Sequence, residues 1–121
     1  MVYGTDPVTI GLSSFPRSCQ LPSPPLPEGC PWWSLEVTLP LAMLVPGPVA
    51  LSSPNVQVFA MESGMNGTDP NDCWGGGGNV FFGDVAIASV TAAQVVVALS
   101  NVDPELHDKS MNGSFVAARC P

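Results

Sequence analysis

Proline and glycine punctuate this sequence so densely that a long helix has almost nowhere to form. Fourteen prolines and 12 glycines are spread over 121 residues. Proline removes a backbone donor and clashes with the preceding turn, and an isolated helix needs roughly 12–15 residues to persist. Short strands joined by many turns are what remains. The length fits a single domain, 1–121, able to bury a core, and 45% hydrophobic residues set it apart from disordered polyelectrolytes.

The stretch from Gly75 to Ser100 organises the rest. A glycine run leads into two apolar, β-branched segments, Val80-Phe-Phe-Gly-Asp-Val-Ala-Ile-Ala and Ala93-Gln-Val-Val-Val-Ala-Leu. They read as a central β-hairpin, with Phe81, Val85 and Ile87 on one face of the first strand and Val95, Val97 and Leu99 on one face of the second. Consecutive valines at 95–97 favour strand over helix, because their restricted χ1 suits a pleated surface.

Other segments carry the same period of two. Val8, Ile10 and Leu12 share a face, as do Leu35, Val37 and Leu39 in the run from Trp32 to Leu39. Val49–Leu51, Val56–Met61 and Gly113–Cys120 read as further short strands. Pro46-Gly-Pro48 reads as a turn, Glu62 to Asn79 as a loop, and Glu105 to Lys109 as one helical turn. The residues 13–31 hold six prolines and form a surface loop. About seven or eight short strands punctuated by turns predict an all-β fold, an antiparallel β-sandwich or small barrel.

Charge is sparse and one-sided. Arg17, Lys109 and Arg119 face ten acids, for a formal net charge of −7. Three scattered cations supply no basic footprint for nucleic acid, and an anionic bilayer surface would repel the chain. The apolar run Leu39–Leu51 is broken by Pro40, Pro46, Gly47 and Pro48 and is too short to span a bilayer. No leader is visible; an exported form implies that one was removed ahead of Met1.

Cys19, Cys30, Cys73 and Cys120 contain no C-x-x-C pair, so disulfides are expected in place of zinc. An even cysteine count in a proline-rich, lysine-poor chain points to a secreted or cell-envelope setting. Of the three possible pairings, Cys19–Cys30, closing the proline-rich loop, and Cys73–Cys120 are preferred.

No residue set spells out a reaction, and a non-enzymatic role is expected. The single His107 sits beside Asp108 in a polar acidic stretch, no Ser occupies a G-x-S-x-G elbow, and a small hydrolase around Asp84, His107 and Asp108 is the weakest reading. Glu36 and Asp84 are the acids expected on strands. Gly75–Gly78 feeds a strand with no lysine nearby, so it is no phosphate cradle. Asp69, Asn71 and Asp72 offer hard oxygens at a spacing that suits calcium, although Asp and Asn also favour turns for local reasons, and no other cofactor is implied. Trp32, Trp33 and Trp74 are the candidates for stacking on sugars; adjacent Trp32 and Trp33 must point to opposite faces of a strand. Asn66-Gly-Thr68 and Asn112-Gly-Ser114 match the N-glycosylation acceptor.

Val45-Pro-Gly-Pro-Val-Ala-Leu-Ser52, Gly83-Asp-Val-Ala-Ile87 and the ending Asn112-Gly-Ser-Phe-Val-Ala-Ala-Arg-Cys120 give a layout that resembles small secreted or lipid-anchored bacterial envelope proteins of unknown function. The resemblance implies an extracytoplasmic location and brings no catalytic residues. The expectation is a disulfide-stabilised extracellular structural or protein-interaction module. A carbohydrate-binding module using exposed tryptophans is the alternative. Exposed edge strands would permit a homo-oligomer.

Overall fold

The period-two segments become strands. The computed structural model describes residues 1–19, 26–102 and 111–121. Among them lie β1 (Val2–Tyr3), β2 (Val8–Ser13), β3 (Trp32–Leu39), β4 (Gly47–Pro48), β5 (Gln57–Met65), β6 (Cys73–Asn79), β7 (Asp84–Val90), β8 (Gln94–Ser100) and β9 (Gly113–Ala118). One antiparallel sheet runs β1-β2-β3-β5-β6 and a second β4-β7-β8-β9. The fold is all-β, consistent with a sandwich. The count of nine exceeds seven or eight because β1 and β4 have two residues each, too few to show alternation.

Register aligns the apolar rows. Val8, Ile10 and Leu12 stand opposite Leu39, Val37 and Leu35, and Val37 and Leu35 in turn face Val58 and Ala60. In the second sheet Val85 and Ile87 pair with Leu99 and Val97, while Val95 pairs with Ala117. These rows meet in one core in which Ile10, Leu35, Val37, Leu39, Val95 and Val97 are fully buried. Each such side chain contributes on the order of 1.5–3 kcal/mol by leaving water. A register shift between Ile87 and Ser89 lets β7 carry one extra residue without turning Val85 and Ile87 out of the core.

Three local expectations need correction. Phe81 does not share a strand face with Val85 and Ile87: β7 begins at Asp84, and Phe81 and Phe82 are 66% and 71% exposed. Gly83 separates them, at φ +111 and with its Cα so close to the chain at Asn101 that a Cβ would lie 2.9 Å from that carbonyl oxygen. The loop expected from Glu62 to Asn79 is mostly strand, since β5 continues to Met65 and the glycine run lies within β6. Glycine carries no side-chain pattern, so backbone pairing alone makes that strand. Finally, pairing near Pro46–Leu51 occurs at Gly47–Pro48 and not at Val49–Leu51, with only the Val49 N–H continuing it, onto the Val85 carbonyl. The helical turn expected at Glu105–Lys109 falls outside the described residues.

All four cysteines are bridged, but as Cys19–Cys120 and Cys30–Cys73. The preferred pairing, Cys19–Cys30 with Cys73–Cys120, is overturned, so the proline-rich loop is not closed on itself. Sheet register explains the outcome. Trp32 lies opposite Ser63 and Cys73 opposite Met65, which brings the starts of β3 and β6 to the same end of the sheet. The Cys30 N–H also donates to the Pro70 carbonyl. At the other edge, Val2 bridges Arg119 in parallel and its carbonyl accepts from the Cys120 N–H, carrying Cys120 to the β1–β2 side.

Candidate functional site

The tryptophans divide as strand alternation requires. Trp33 points into the core, opposite Glu62, and meets Phe115 edge-to-face at 5.4 Å. Trp32 points to the outer face, opposite Ser63, where Phe15 meets it edge-to-face at 5.9 Å. Both are buried, at 9% exposure for Trp32 and 8% for Trp33, so neither presents a ring face to solvent. The loop after β2 is held over this region by Ser14, whose N–H donates to the Trp33 carbonyl and whose Oγ accepts from the Trp33 N–H.

Trp74 differs. It lies on β6 directly across from Gly64, half-buried, with its indole against the Gly64 backbone. Beside it opens a groove of about 310 Å³, lined by Leu26, Trp32, Met61, Ser63, Trp74 and Gly75 among others. The lining is mostly apolar because Gly75 and Gly76 contribute no side chains. A second groove, of about 270 Å³, lies near Leu51, Pro54, Val56, Val80 and Phe81. Phe81 and the neighbouring Phe82 stand out from it into solvent.

In the candidate calcium loop, one carboxylate oxygen of each acid is engaged locally. Asp69 Oδ1 accepts from the Asn71 N–H at 2.9 Å, and Asp72 Oδ1 accepts from Asn66 Nδ2 at 3.0 Å. The Asp72 N–H donates to the Asp69 carbonyl and the Asn66 N–H to the Asp72 carbonyl. These are turn bonds of the kind Asp and Asn make for their own conformation. Among the described residues, no group of three or more His, Cys, Asp or Glu is placed to hold a metal.

The two acids expected on strands are not brought together. Glu36 lies on β3 and Asp84 on β7, in different sheets, and Asp84 accepts from Asn101 Nδ2 at 3.0 Å. His107 and Asp108 lie outside the described residues. Glu36 instead anchors a polar group that no sequence pattern announced. Its Oε1 accepts from Arg17 Nη2 at 3.1 Å and from the Tyr3 hydroxyl at 3.3 Å. The Arg17 side chain is 9% exposed, covers Gly11 and lies near the Phe15 ring. Burial raises the Tyr3 phenol above its ordinary value, and the Glu36 charge and hydrogen bond raise it further, against smaller opposing effects of Arg17 and Thr9. The three residues come from β1, the loop after β2 and β3. The register of β1, β2 and β3 unites them: Tyr3 pairs with Thr9, and Gly11, which leaves room for the guanidinium, pairs with Glu36.

Among the described residues, no helix is long and apolar enough to cross a membrane. No family model matches this chain, nor does any curated protein or solved structure.

Proposed function

We propose that this protein is a non-enzymatic, disulfide-stabilised module that works outside the cytoplasm as a structural or protein-interaction unit. The exposed pair Phe81–Phe82 carries this reading. Two adjacent aromatic side chains held in solvent at 66% and 71% exposure, beside a groove that mixes apolar side chains with Gln57 and Asn79, are the kind of anchor that fills a pocket on a partner. Two disulfides support an oxidising setting, because reducing compartments rarely sustain them. Photo-crosslinking from position 82, with a benzophenone amino acid in place of Phe82 on protein displayed in its native host, tests the reading. Discrete adducts with one or a few proteins are expected; failure to form any adduct counts against it.

A carbohydrate-binding role is the second reading, and Trp74 is what favours it. Its indole is half-buried next to the 310 Å³ groove, so one sugar ring has a surface to stack on. It is a single ring and not a platform, because Trp32 and Trp33 are buried. Titration with neutral oligosaccharides while following tryptophan emission separates the two. A saturable change abolished by Trp74→Ala supports sugar binding, and an unchanged spectrum across a broad oligosaccharide panel removes it.

A further inference from the structure

The edges of the two sheets are not alike. On one side of the molecule the edges are joined: Val2 of β1 bridges Arg119 just beyond β9, and the Cys120 N–H is used by the Val2 carbonyl. On the other side the second sheet ends in β4, which is two residues long and flanked or occupied by Pro46 and Pro48. Short length and proline are standard ways of closing an edge to further pairing. Among the described residues, the remaining edge is β6. It runs for seven residues, Cys73 to Asn79, with neither proline nor charge.

The free side of β6 is defined by its bonds to β5. The Val80 N–H donates to the Val58 carbonyl and the Asn66 N–H to the Asp72 carbonyl. In an antiparallel ladder the bonding direction alternates, so even-numbered residues turn their backbone groups toward β5. Cys73, Gly75, Gly77 and Asn79 therefore turn N–H and C=O away from the sheet. Gly76 and Gly78 are exposed, and a Cβ on either would meet nothing within 4 Å, so the second sheet stops short of this strand.

We infer that β6 pairs with β6 of a second copy of this chain, antiparallel and centred on Gly76. This register matches Cys73 with Asn79 and Gly75 with Gly77, joining outward donors to outward acceptors in both directions. It also sets each Trp74 across from Gly78 of the other copy. The chain already shows that contact once, in Trp74 against Gly64 across the β5–β6 ladder. Bulk meets glycine on both sides of the two-fold axis, as a self-complementary interface requires. Asp72 falls opposite Val80, so no acids face each other along the paired strands. The result is a continuous sheet through the two copies. This inference goes beyond the partner-binding reading and stands whether or not Phe82 finds another protein.

Sedimentation equilibrium of the wild-type protein from micromolar to millimolar concentration tests it. A concentration-dependent dimer is expected, and it strengthens as salt is raised, because each copy carries a net charge of −7. Gly76→Lys places two ammonium groups face to face on the axis while entering open space in the monomer; it is expected to abolish the dimer with an unchanged circular dichroism spectrum. A second measurement needs no variant. The amides of Cys73, Gly75, Gly77 and Asn79 should exchange more slowly at high protein concentration than at low. A wild-type monomer at every concentration, or a dimer that Gly76→Lys leaves intact, overturns the inference. So does exchange of those four amides at a rate independent of concentration, including where another protein's strand protects them instead.

Discussion

Trp74 lies against the backbone of Gly64: a Cβ on Gly64 would come within 2.7 Å of the indole Nε1. The two residues are cross-strand neighbours in the β5–β6 pair, and Gly64 is buried while Trp74 is half-buried. The glycine is there for space, since the indole occupies the volume that its side chain would need.

Gly64→Ala should therefore push the indole outward. The expected cost is about 1–3 kcal/mol, typical of overpacking, with a red shift of tryptophan emission as Trp74 gains solvent. Gly76→Ala, where the new methyl meets open space, serves as the control and should leave emission unchanged. Urea titration with fluorescence detection measures both effects.

The two bridges close long segments of chain, with sequence separations of 101 for Cys19–Cys120 and 43 for Cys30–Cys73. Restriction of the unfolded chain predicts about 4.7 kcal/mol for the longer and about 4 kcal/mol for the shorter. Replacing each pair by serine should lower the unfolding free energy by amounts of this order, with the longer loop costing more. Equal melting curves for wild type and both double variants would falsify that account.

Tyr3 is the one tyrosine of the chain, so ultraviolet titration reads it alone. Its phenol should titrate above the ordinary value of 10.0, chiefly because of burial, with Glu36 adding to the shift. Glu36→Gln should bring the midpoint down toward that value. The linkage has a definite sign. Below pH 10 both folded and unfolded phenols are neutral, and this contribution to stability is fully present. As pH rises further, the unfolded phenol ionises first, so stability falls until the folded phenol ionises too.

The strands that bury one face were readable in advance. Leu35, Val37 and Leu39 alternate with Ser34, Glu36 and Thr38, and β3 is found at the residues expected, Trp32–Leu39. The β7–β8 hairpin followed from its valines in the same way. What escaped the sequence lacks a side-chain signal. Gly75–Gly78 pairs through backbone alone, and β4 is held in part by a proline dipeptide. Disulfide choice depends on which strand ends meet, a property of register across β3, β5 and β6 that local spacing does not contain. The Arg17–Glu36–Tyr3 group was hidden for the same reason, its members being 14 and 19 residues apart in sequence.

Phe81 and Phe82 offer a further check on the surface reading. Side chains this exposed add little to the fold, so Phe81→Ser and Phe82→Ser should each change the unfolding free energy by less than about 0.5 kcal/mol. The same variants should bind less of a hydrophobic dye to the native protein. A loss of several kcal/mol would mean that the pair belongs to the core.

The most direct test of the account is a peptide map of the non-reduced, alkylated protein recovered from an oxidising compartment. Two linked species are predicted, one joining the Cys19 and Cys120 peptides and the other joining Cys30 and Cys73. A Cys19–Cys30 species would contradict the register that brings the starts of β3 and β6 to one end, and free thiols at all four positions would contradict the proposed extracytoplasmic role.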